Sequence, residues 1–74
     1  QGYEIVFGEH VNFLNIASIK TSLMRVPSGA KVTINTLQSK SLDHDIQELL
    51  SDFMNITAKN KQIDVLYLGN HLSN

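Results

Sequence analysis

The chain reads as an α/β domain with a mixed or mostly parallel sheet of four to five strands and helices packed on it, in the order β(β)αβαβ. Three observations predict this. Two amphipathic helical stripes, over residues 16–26 and 46–54, alternate with β-branched runs at 31–35 and 63–68. A further run of strand character, Tyr3-Glu4-Ile5-Val6-Phe7, opens the chain. Strands that alternate with helices favour parallel pairing through right-handed crossovers.

Each element has its own local reason. Residues 3–7 form the first strand, and residues 9–13 are a candidate second strand with Gly8 between them. Those two can form a hairpin, which would make the sheet mixed. Asn12 and Asn15 both suit the N-cap of the first helix. Ile16, Ile19, Leu23 and Val26 recur at helical spacing, while Lys20, Thr21 and Arg25 fall on other faces. Pro27 is the only proline, and it ends this helix near Val26 because it lacks the N–H that the next turn needs.

Val26-Pro27-Ser28-Gly29 is a strong turn signal. Lys31-Val32-Thr33-Ile34-Asn35 alternates β-branched and polar residues and predicts a strand. Residues 36–40 are a polar connection. Ile46, Leu49, Leu50, Phe53 and Met54 then make a single apolar stripe, with Gln47, Glu48, Ser51 and Asp52 opposite. Asp43 or Asp45 can cap this second helix, and Asp45 with Glu48 has capping-box spacing. The helix is expected to run to about Lys59 and stop at Asn60. Residues 63–68 form the last strand, ended by Gly69-Asn70.

Composition narrows the function. Seventy-four residues make one domain, residues 1–74, with a small core. There is no cysteine, so disulfides and thiolate metal sites are excluded. Net charge is −1, and the six Lys and Arg are scattered, apart from Lys59 and Lys61. A nucleic-acid interface concentrates such charges, so no nucleic-acid partner is expected. No apolar run reaches the ~20 residues that span a bilayer, so direct membrane insertion is not expected, and no signal peptide is evident. The first residue is Gln1, not Met, so the chain is read as an excised piece of a longer protein.

Motif searches exclude most chemistry. None of the four glycines builds a dinucleotide fingerprint or a phosphate loop, and there is no nucleophile elbow. No catalytic residue, cofactor or metal is therefore expected. The densest ionisable cluster is Asp43-His44-Asp45, whose side chains have metal-ligand chemistry. Sequence neighbours at a helix start point in different directions, and only Asp43 with Glu48 or His44 with Glu48 can share a face. Capping and dipole complementation, at about 0.3–1 kcal/mol per charge, is the stronger reading. His10 and His71 are isolated and read as surface or strand-end residues. Tyr3, Tyr67, Phe7, Phe13 and Phe53 read as core.

Four segments in order carry a family resemblance: Phe13-Leu14-Asn15; Val26-Pro27-Ser28-Gly29-Ala30-Lys31-Val32-Thr33-Ile34; Leu42-Asp43-His44-Asp45-Ile46; and Leu49-Leu50-Ser51-Asp52-Phe53. Together they resemble the STAS domain, which bacterial SulP sulfate and anion transporters share with anti-sigma-factor antagonists. The likeness covers residues 4–68. In the antagonists the strand-to-helix junction carries an apolar residue followed by Asp-Ser-Ser-Gly, and a kinase phosphorylates the second serine. Here Leu42 matches the apolar residue and Asp43 the aspartate, whereas His44 stands at the first serine, Asp45 at the phosphorylated serine and Ile46 at the glycine. A carboxylate cannot accept that phosphate, so the departure favours the transporter branch. Asp45 would then act as a permanent, weaker mimic of the phosphorylated state. Ser39 and Ser41, just upstream, are alternative modification sites.

The resemblance implies a non-catalytic regulatory domain on the cytoplasmic side of the inner membrane. Its partners would be the rest of a transporter chain or another protein, with Ser41, Asp43, His44 and Asp45 at the contact surface. The alternative is a freestanding partner-switching protein like the anti-sigma-factor antagonists. A homodimer and a nucleotide ligand stay open, the latter without support from any motif. STAS domains carry a further helix after the last strand found here, so part of a sheet face is expected to be uncovered, and dimerisation or helix exchange would cover it.

Overall fold

A computed structural model describes residues 2–11 and 13–69, with Phe13 described through its backbone alone. The chain forms β1 (Gly2–Val6), β2 (His10–Val11), a 3-10 turn (Phe13–Asn15) leading into α1 (Ile16–Met24), β3 (Lys31–Asn35) and β4 (Ser41–Leu42). It continues through α2 (His44–Asp52), a π-helical turn (Phe53–Thr57), α3 (Ala58–Lys61) and β5 (Asp64–Leu68). The protein is therefore α/β, and every strand pair is parallel.

The pairing differs from a four- to five-stranded sheet. β1, β3 and β5 form one three-stranded sheet in that spatial order, and β2 and β4 form a separate two-stranded ladder. The hairpin that the first two strands could have made, the mixed-sheet alternative, does not form. A two-residue hairpin turn needs residues at positive φ, and Gly8 is not among the positive-φ positions. The chain instead keeps its direction after β1: the Phe7 amide donates to the Asn35 carbonyl at 2.9 Å, and the Lys40 amide donates to the Glu9 carbonyl at 2.9 Å. β1 and β3 thus step together from the main sheet into the short β2–β4 ladder.

Both helical layers cover one face of the sheet. Register puts Tyr3, Val32 and Val65 in one row and Ile5, Ile34 and Tyr67 in the next. Ile34 is fully buried there, as are Ile46 and Leu50 from α2, and Ile19, Leu23 and Val26 complete the core from the α1 side. Burying one such side chain contributes roughly 1.5–3 kcal/mol. Both apolar stripes therefore face the sheet, with Ile16, Leu49 and Met54 half-buried at their margins. The opposite face carries Glu4, Thr33 and Asn35, with Val6 and Leu66 each 56% exposed.

Helix ends depart from local expectation in two places. Asn15 occupies the N-cap position of α1 but has helical dihedrals and makes no capping hydrogen bond, because the 3-10 turn before it already winds the backbone. Asn12 lies outside the described residues. The second helical stretch does not stop at Asn60. It ends in a left-handed residue, Gln62 at φ 57°, whose amide reaches the Lys59 carbonyl while the Ile63 amide donates to the Ala58 carbonyl at 2.8 Å. That pair of bonds is a Schellman motif, with Ala58 and Ile63 both buried beneath it. Lys61 then ties this end to the Pro27 turn: its Nζ donates to the Val26 carbonyl at 2.8 Å, and its own carbonyl accepts from the Gly29 amide at 2.9 Å. Gly29, at φ 81°, supplies the left-handed conformation that turn requires.

Candidate functional site: the strand-to-helix junction before α2

β4 is two residues long, and its side chains alternate. Leu42 points into the core opposite Val11, its register partner, and Ser41 faces solvent opposite His10. The ladder closes when the Asp43 amide donates to the Val11 carbonyl at 3.3 Å. Asp43 is the N-cap residue of α2, with extended dihedrals of φ −58° and ψ 151°. The chain therefore passes from a buried residue to an exposed helix start within one step.

Of the two candidate caps, Asp43 takes the N-cap position, and the Asp45–Glu48 capping box does not form. With Asp43 at the N-cap, Asp45 already lies inside the first turn. Gln47 supplies the link back to the strand: its Nε2 donates to the Leu42 carbonyl at 2.9 Å, and its amide donates to the Asp43 carbonyl at 3.0 Å. Residue-type periodicity places Gln47 merely on the polar side of the stripe, and it holds no signal for this contact. His44 and Glu48 do share a face, with Nε2 and Oε2 3.2 Å apart, an ion pair when the imidazole is protonated.

Ser41, Asp43, His44 and Asp45 are each exposed at the junction. Its near edge is Glu9 and Lys40, paired at 2.8 Å, with His10 3.9 Å from the same carboxylate. Ser39 departs from its expected role. It is 7% exposed, and its hydroxyl donates to the Gly8 carbonyl at 2.7 Å, so a modifying enzyme has no access to it. Ser41 alone of the two serines is open to solvent.

Among the described residues, no three His, Asp or Glu side chains converge as metal ligands. His71 lies outside the described residues. No helix among the described residues is long and apolar enough to cross a membrane. The junction presents the carboxylates of Asp43, Asp45 and Glu48 on the first turns of a helix whose inner face is buried through Ile46 and Leu50. No protein-family model, curated protein or solved structure matches this chain.

Proposed function

We propose that this chain is a non-catalytic STAS-type interaction module, serving as the cytoplasmic regulatory domain of a sulfate or related inorganic-anion transporter of the SulP kind. The observation that carries this reading is the junction: a buried Leu42 handing over to an exposed Asp43-His44-Asp45 turn, on a parallel βαβαβ frame. Partner contact falls on Ser41, Asp43, His44 and Asp45. The carboxylates there, with Glu48 one turn on, fit a partner segment that presents basic side chains. Asp45 stands where the antagonists carry phosphoserine, so its charge is fixed rather than switched.

Fractionating source cells and blotting with an antibody against this chain tests the reading. A membrane-bound polypeptide several times larger than the chain supports it. A soluble product near the chain's own mass overturns the transporter assignment in favour of the freestanding partner-switching protein. In either setting, Asp45→Asn should weaken capture of the protein partner.

A further inference from the structure

β5 lies at one edge of the three-stranded sheet, beside β3. The Asp64 amide donates to the Ala30 carbonyl at 3.0 Å, and the Leu68 carbonyl accepts from the Thr36 amide at 2.8 Å. Main-chain groups alternate in direction along a strand, so Asp64, Leu66 and Leu68 turn theirs toward β3. Those of Val65 and Tyr67 point away from it, and among the described residues no strand pairs with them.

The apolar rows stop short at the same edge. Val32 and Ile34 are buried, whereas their register partners Val65 and Tyr67 are only half-buried. On the opposite face Leu66 is 56% exposed. Exposed edges are ordinarily protected by a charge within the strand, a proline or a bulge. β1, at the other edge, carries Glu4 at its centre. β5 has its one charge at its first residue, Asp64, contains no proline and pairs with β3 without a break in register.

An extended main chain matches both features of this edge. Its N–H and C=O groups repeat at the spacing of those on Val65 and Tyr67, and its alternate side chains continue the two apolar rows. A helix bonds its main chain internally and offers neither. We propose that the outer edge of β5 accepts an extended segment of a partner protein as an added strand, with apolar, β-branched side chains at alternate positions. This edge uses none of the junction residues before α2, so its test stands apart from the proposed function.

Amide hydrogen exchange, read residue by residue with NMR, tests the proposal with the synthetic peptide Ala-Lys-Val-Thr-Ile-Asn-Thr as probe. That is the sequence of residues 30–36, which pairs with the inner edge of β5 within the chain. Excess peptide should slow exchange at Val65 and Tyr67 by about tenfold or more, and leave Leu66, already bonded to β3, unchanged. Val65→Pro removes an outward N–H that the β3 ladder does not use. The variant should stay folded by circular dichroism and bind the peptide about tenfold more weakly. If it unfolds, exchange in the unmodified chain decides alone. Unchanged exchange at Val65 and Tyr67 overturns the proposal, as does protection at Glu4 of β1 instead, or full-strength binding by a folded Val65→Pro variant. Protection that grows with the concentration of the chain alone assigns the edge to a second copy and overturns it too.

Discussion

The Ala58 amide donates to the Phe53 carbonyl, five residues back rather than four. This one bond shifts the phase of the helix. An uninterrupted α-helix would bring Thr57 round to the side of Phe53, but Thr57 is exposed and Ala58 is 2% exposed instead. The π turn thus lets Phe53 and Ala58 both face the sheet. Ala58→Glu should therefore unfold the chain or cost at least about 3 kcal/mol, by burying a carboxylate among apolar groups. Thr57→Glu should stay within about 0.5 kcal/mol, as exposed substitutions do. Urea denaturation of the two variants, compared at equal concentration, checks the phase. Similar losses for both would mean that the helix is not shifted.

Gln62 is the only described residue other than glycine at positive φ. A side chain in that region costs about 1 kcal/mol or slightly more, which glycine avoids. Gln62→Gly should raise the unfolding free energy by roughly 1 kcal/mol, less the extra freedom it gives the unfolded chain. Thermal and urea unfolding should agree on the sign. A destabilised variant would show that the Gln62 side chain does more than tolerate its backbone.

Thr36 is fully buried, and its hydroxyl lies 3.0 Å from both the Leu68 carbonyl and the Tyr67 hydroxyl. Having one proton, it donates to the carbonyl and accepts from the phenol. Thr36→Val keeps the shape and removes both bonds, so it should cost about 1–2 kcal/mol. The parallel variant Tyr67→Phe should cost less, because the phenol is the more exposed partner. Unfolding curves for the pair and their double variant would give the coupling directly.

Gly69 lies beside that same threonine. Its φ is 145°, and a Cβ there would collide with Thr36 Oγ1. Gly69→Ala should destabilise the chain by about 1–3 kcal/mol through backbone strain and displacement of Thr36. Replacing Thr36 with Ala in the Gly69→Ala background should recover part of the loss. Unfolding midpoints would detect it, and additive costs would remove the steric explanation.

Gln47 ties α2 to β4 through the Leu42 carbonyl. Gln47→Ala should cost about 0.5–1.5 kcal/mol. It should also speed amide hydrogen exchange around residues 42–44 more than elsewhere, since the bond fixes the junction itself. Uniformly faster exchange would instead indicate a global effect.

Local periodicity carried the α/β class, both helical stripes and the strand over residues 31–35. Ile46, Leu50 and Phe53 could be assigned to the core because a helix repeats every 3.6 residues and its apolar face must be buried. The exposure of Ser41, Asp43, His44 and Asp45 was likewise legible, since polar residues at a helix start rarely turn inward. Strand partners were not. Whether β2 would fold back on β1 or run on to meet β4 depends on residues some thirty positions away, and no local pattern encodes that choice. The π turn, the left-handed Gln62 and the reach of Gln47 to Leu42 have the same origin. Each is a backbone adjustment that is unfavourable or neutral in isolation. Each becomes favourable only when the sheet, the Pro27 turn and the core are already in place to reward it.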